Sequence, residues 1–178
     1  MTCIVGIVEK DRVYIGGDSA GVSDSDVTIR KDVKVFKVGD FVFGCTSSFR
    51  MMQIIRFSFK PPKIQSKDDV FEYMCTKFIT ALRDTLKSKG FFDGESSKES
   101  GGTFLVGYKN RLFKVMDDFQ VGESAVSFEA CGYAENYAKG VLYALSCSLS
   151  PETRIKRALE AAVYFSGSVR SPFVIENT

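Results

Sequence analysis

The strongest constraint in this sequence is a set of short apolar runs that do not alternate. TCIVGIV (2–8) and RVYIGG (12–17) are joined by the turn-like Glu9-Lys10-Asp11 and read as a β-hairpin. A strand with one wet face alternates polar and apolar residues. These two are nearly continuous in apolar residues, as strands covered on both faces are. VKVFKVG (33–39) and FVFGCTS (41–47) form a second hairpin turning at Gly39-Asp40. Whatever the chain folds into, its sheets must be covered on both sides.

The remaining elements supply that cover. Ser47 or Ser48 caps a helix through about Phe59, ended by Pro61 and Pro62. A second helix begins near Ser66, with Asp68 and Asp69 in its first turn where the helix dipole favours them. Its apolar residues Val70, Phe71, Met74, Phe78, Leu82 and Leu86 recur at helical spacing up to a stop at Gly90. Ser19 to Asp26 and 93–102 read as polar loops. TFLVGY (103–108), RLFKVMD (111–117) and FQVG (119–122) read as a meander, turning first at Lys109-Asn110. Two helices, 134–148 and 152–165, break at Ser150-Pro151, and PFVIE closes the chain as a strand. The order is four strands, two helices, three strands, two helices, one strand. This predicts an α+β fold, a four-layer αββα sandwich of two antiparallel sheets with helices outside both. At 178 residues, without repeat or linker, a single domain spanning 1–178 is expected.

Composition narrows the function. Apolar residues make up 44% and charged residues 26%, which is a globular balance. The net charge of +2 gives no global attraction to nucleic acid or to a membrane surface. No run is long enough to span a bilayer, and the N-terminus lacks the basic and apolar regions of a signal peptide, so a cytoplasmic protein is expected. The five cysteines are scattered and never paired as CxxC, which reads as free thiols rather than disulfides or zinc. The chain contains no histidine. Ser-His-Asp and Cys-His mechanisms are therefore excluded within it, as are HExxH zinc sites, and neither metal nor cofactor is expected.

A hydroxyl nucleophile without histidine needs another base. Removal of Met1 gives Thr2 a free α-amine beside its own hydroxyl, with an unperturbed pKa of about 7.7–8.0. That amine can take the hydroxyl proton near neutral pH.

Several segments then resemble the proteasome β-subunit and HslV-type proteases, which are N-terminal nucleophile (Ntn) hydrolases. They are T-x-I-V-x-I, G-G-D-S, a basic V-K-V stretch and a glycine strand running into a helix, followed by ACGYAENYAKGVLYAL (130–145) and FSGSV (165–169). Asp18 lies 16 residues after Thr2 and Lys34 lies 32 after it, the family's intervals. The resemblance covers essentially the whole chain. It implies a threonine endopeptidase with Thr2 as nucleophile. Lys34 would favour the alkoxide and keep the α-amine unprotonated, with Asp18 holding Lys34 charged. Backbone N–H groups around Ser47 and Ser48 would form an oxyanion hole, supported by Ser166, Ser168 and the position of Tyr133. It further implies a peptide or unfolded-protein substrate, a homo-oligomeric ring and an ATP-driven unfoldase as partner.

The sequence departs from the family at three places. Ser47 or Ser48 stands for a glycine, Tyr133 for the serine of a Gly-Ser-Gly turn, and Val163 or Tyr164 for an acid shortly before Ser166. Two other readings therefore stand beside the peptidase. One is a structural shell subunit with a silent site. The other is an amidase or amidotransferase-like Ntn hydrolase using Cys3, whose place on the strand puts it on the opposite face from Thr2.

Overall fold

A computed structural model of the protein describes residues 2–92, 100–145 and 147–178. Most of the loop expected at 93–102 lies outside the described residues. The first hairpin is β1 (Ile4–Glu9) and β2 (Arg12–Gly17), with Ile4 opposite Gly17 and Glu9 opposite Arg12. A short hairpin follows, β3 (Ala20–Ser23) with β4 (Asp26–Ile29). It replaces the loop expected over Ser19–Asp26. Every residue of β4 is exposed, so no apolar period marks it in the sequence. Next come β5 (Val35–Val38) and β6 (Phe41–Cys45), turning through Gly39 at φ +57°.

The helices of one outer layer follow. Helix α1 spans Phe49–Ser58, and the Ser48 side chain accepts from the Met51 N–H as its N-cap. Helix α2 (Val70–Tyr73) passes through a π-helical turn, Met74–Phe78, into α3 (Ile79–Ser88). Asp69 is the N-cap of α2 rather than a first-turn residue, its carboxylate accepting from the Glu72 N–H. Met74, Phe78, Leu82 and Leu86 recur every four residues, slightly more than the 3.6 of an α-helix. The wider π turn absorbs the excess, and all four stay buried on one face.

Strands β7 (Phe104–Tyr108), β8 (Arg111–Val115) and β9 (Val121–Glu123) complete a five-stranded antiparallel sheet ordered β5-β6-β7-β8-β9. Strand β10 (Phe128–Cys131), which the sequence pattern does not reveal, pairs with β1. Helices α4 (Glu135–Ala144) and α5 (Pro151–Phe165) follow, the latter with Ser150 as N-cap and Pro151 in its first turn. Strand β11 (Val174–Asn177) pairs with β2, giving a second sheet ordered β10-β1-β2-β11.

The four expected layers are present, separated by three cores. One core lies between the five-stranded sheet and α1–α3 and is rich in phenylalanine, including Phe36, Phe43, Phe59, Phe78, Phe104 and Phe113. A second lies between the four-stranded sheet and α4–α5, with Cys3, Val5, Ile7, Ala138, Ile155 and Leu159. The third fills the space between the sheets, with Ile4, Val13, Ile15, Val35, Val42 and Leu105. The strands do alternate, but between two dry environments. Val5 and Ile7 face the helices while Ile4 faces the other sheet. The sheets approach closely at Gly44, where a Cβ would stand 2.4 Å from Ile4 and 2.5 Å from Ile15.

Candidate active site

Three loops meet at one end of the sandwich. Thr2 lies one residue short of β1, with Cys3 between, Asp18 immediately follows β2, and Lys34 immediately precedes β5. The β1–β2 register brings the first two together, and the stacking of the sheets brings in the third. Lys34 Nζ donates to Thr2 Oγ1 at 2.9 Å and to Asp18 Oδ1 at 2.8 Å. All three residues are buried, at 5%, 1% and 2% exposure for Thr2, Asp18 and Lys34.

A buried ion pair is tolerable only when its remaining polar atoms are occupied. Asp18 meets that condition. Its Oδ1 also accepts from the Cys3 N–H at 3.1 Å. Its Oδ2 accepts from the N–H groups of Ala20 at 3.0 Å and Arg170 at 3.4 Å. Burial pushes the Lys34 ammonium below its ordinary value, and Asp18 opposes that shift through charge and hydrogen bond. Arg30 adds to the lowering from beyond the pair. The result is a compact, dry cation aimed at a hydroxyl.

The neighbours of Thr2 are shaped by backbone. Gly132 has φ +102°, and a Cβ there would stand 2.4 Å from the Thr2 carbonyl oxygen. Only glycine fits both the conformation and the space. Ser47 has φ +70°, in the region where glycine is comfortable, so it is the serine that occupies a glycine-like position. The Ser48 N–H closes a tight turn onto the Thr46 carbonyl at 2.9 Å, and its hydroxyl caps α1. Ser47 Oγ accepts from the Thr103 N–H at 3.1 Å.

Ser166 and Ser168 are both buried and share a hydroxyl–hydroxyl hydrogen bond of 2.9 Å. They belong to a strap, residues 166–172, that returns to Asp18 through the Arg170 N–H. Tyr133 is 70% exposed, so its ring points to solvent. Tyr164, at one of the two positions where an acid was sought, is 83% exposed. Cys3 faces α4 and α5, and burial, together with the charge of Asp18, pushes its thiol up to about 12. Sequence reasoning missed Arg170 and Gly132. Gly132 carried a usable signal, a glycine just before a helix; Arg170 carried none, because it reaches Asp18 through the main chain.

No family model matches the sequence, and no curated protein matches it. The fold has clear solved neighbours. BPH from Thiobacillus denitrificans superposes with a TM-score of 0.81 at 23% identity, over 99% of this chain and 97% of that one. The same protein in complex with epoxomicin gives 0.82 at 22%, over 99% and 98%. The eukaryotic HslV of Trypanosoma brucei gives 0.69 at 15%, over 99% and 98%. The chain has the HslV-type Ntn-hydrolase fold. Coverage near the full length of both partners means that all four layers correspond. Among the described residues, no helix is long and apolar enough to cross a membrane, and no three His, Cys, Asp or Glu side chains converge to hold a metal ion.

Proposed function

We propose that this protein is a proteasome-like threonine peptidase whose nucleophile is Thr2 after removal of Met1. The observation that carries the reading is the position of Lys34 Nζ, within hydrogen-bond distance of both Thr2 Oγ1 and Asp18 Oδ1 in a water-excluded nook. The α-amine of processed Thr2 takes the hydroxyl proton. Lys34 stabilises the developing alkoxide, and Asp18 keeps Lys34 charged against the desolvation that lowers it. The Thr2 oxygen attacks a peptide carbonyl, whose oxyanion is met by the Ser47 N–H beside the N-terminus of α1; the Ser48 N–H is already engaged. The α-ammonium returns its proton to the departing amine. Water, deprotonated by the same amine, then hydrolyses the Thr2 ester. Peptides or unfolded chains are the substrate class. A homo-oligomeric ring, fed by an ATP-dependent unfoldase, is the assembly that goes with this fold.

A silent shell subunit is the second reading. Tyr133 and Tyr164 favour it, since both turn to solvent where supporting polar groups were sought. A Cys3 nucleophile is disfavoured by a thiol buried among helices. The test is intact mass with and without epoxomicin. The peptidase reading expects loss of Met1 and one adduct per chain, absent in Thr2→Ala. Retained Met1, or no adduct and no peptide cleavage, favours the shell subunit.

A further inference from the structure

We propose that Arg170 is a positioning residue of the Thr2 site, folding the 166–172 strap so that its own backbone N–H holds Asp18 against Lys34. The inference rests on the reading of Thr2, Asp18 and Lys34 given above. Arg170 Nη1 donates to two carbonyls of its own strap, Ser166 at 3.2 Å and Val169 at 2.7 Å. Ser166 is the C-cap of α5, so the guanidinium also sits at the negative end of that helix. Gathering two carbonyls onto one cation curls the strap. The curl brings the Arg170 N–H to Asp18 Oδ2 at 3.4 Å and the Arg170 carbonyl to the Ser19 N–H at 3.0 Å. Ser19 Oγ then donates to the Pro172 carbonyl at 2.6 Å, fastening the far end. Thus the strap grips Asp18 directly and its neighbour Ser19 twice.

Without the guanidinium the two carbonyls lose their common donor and the curl opens. Asp18 keeps the Cys3 and Ala20 N–H groups but loses the backbone N–H that the strap supplies. Its oxygen then tilts away from Lys34. Lys34 faces Asp18 after β2, Cys3 and Thr2 before β1, and Arg30 after β4; Asp18 holds it protonated most strongly, through charge and hydrogen bond, with Cys3 a smaller contributor in the same direction and Arg30 opposing. Lys34 therefore gives up its proton at lower pH.

Arg170→Gln and Arg170→Lys test this. Two readouts are needed: the rate of epoxomicin labelling against pH, and the Lys34 titration followed by NMR of its ε-carbon. Arg170→Gln is expected to label 10- to 100-fold more slowly, with an alkaline limb and a Lys34 titration at least half a pH unit lower. Arg170→Lys, whose ammonium can reach the same carbonyls, recovers most of both. Loss of a positive charge alone would move Lys34 upward, so the sign separates displacement of Asp18 from simple charge removal. An unchanged or upward titration in Arg170→Gln overturns the proposal. So does failure of Arg170→Lys to recover, and if the glutamine variant does not fold, the lysine variant decides alone. Should the wild type not be labelled at all, the peptidase reading falls, and the Lys34 titration still decides the role of Arg170.

Discussion

Strand β1 has a buried cation at each end, and the two are built differently. At its start, Lys34 pairs with Asp18, whose side chain is fully buried and whose oxygens take three backbone N–H groups besides. At its finish, Arg154 of α5 pairs with Glu9, whose side chain is 28% exposed. The Arg154 Nε is buried without a hydrogen-bond partner, and one Nη approaches the Cys147 sulfur at 4.0 Å. Both pairs tie a loop or helix to the same strand. Only the first is saturated with donors and aimed at a hydroxyl. A cation that merely joins layers tolerates an orphaned atom and a wet partner. One that must stay charged beside a buried hydroxyl requires a dry, fully engaged counter-ion.

The largest expected effect breaks the first end. Lys34→Met leaves Asp18 as a buried carboxylate with no cation, a change that typically costs about 3–5 kcal/mol. Urea denaturation should show that loss, and epoxomicin labelling should vanish with it. A loss below about 1 kcal/mol would mean that the backbone N–H groups hold Asp18 unaided. Next in size is Gly132→Ala. The added Cβ collides with the Thr2 carbonyl at 2.4 Å in a conformation that itself strains a non-glycine residue by about 1–3 kcal/mol. Stability should fall by about that amount, with labelling slowed as β1 shifts. Gly140→Ala is the control. It lies inside α4 with open space around it, and alanine there should stabilise by up to about 1 kcal/mol. Equal losses at the two glycines would contradict the crowding argument.

How much of this was legible depends on how each group makes its contacts. The two leading hairpins showed in the sequence because their residues are apolar on both faces and their turns fall at Lys10 and Gly39, both at positive φ. The β3–β4 hairpin did not, since β4 is exposed throughout and local pattern carries no sign of its pairing. Strand β10 was hidden for another reason: its partner β1 lies over a hundred residues earlier, and four residues hold no period of their own. Near Thr2, the meeting of Asp18 and Lys34 could be anticipated because their intervals resemble those of the proteasome β-subunit family and because side chains, which a sequence displays, make their contacts. The contribution of Arg170 to Asp18 comes from a backbone N–H, which any residue except proline offers. The choice between Ser47 and Ser48 was likewise invisible, since a backbone turn, not composition, decides whose N–H is spent.

The smallest effect is expected at the other end of β1, and it is the sharpest check on the comparison. Arg154→Met removes an ion pair, but it also removes an unpartnered buried Nε whose burial costs on the order of 1–3 kcal/mol. Glu9 is wet enough to hydrate once it is released. Methionine can fill the space left by the side chain among the residues of α5. These terms oppose one another, so stability should stay within about 1 kcal/mol of the wild type. Labelling at Thr2 should be unchanged, because the strand between the two ends is clamped by sheet pairing on both sides, to β2 and to β10. A loss of about 3 kcal/mol or more, measured beside Lys34→Met under the same conditions, would mean that Arg154 is as fully integrated as Lys34. Saturation of the counter-ion would then no longer distinguish the cation at the Thr2 hydroxyl from one that only joins layers.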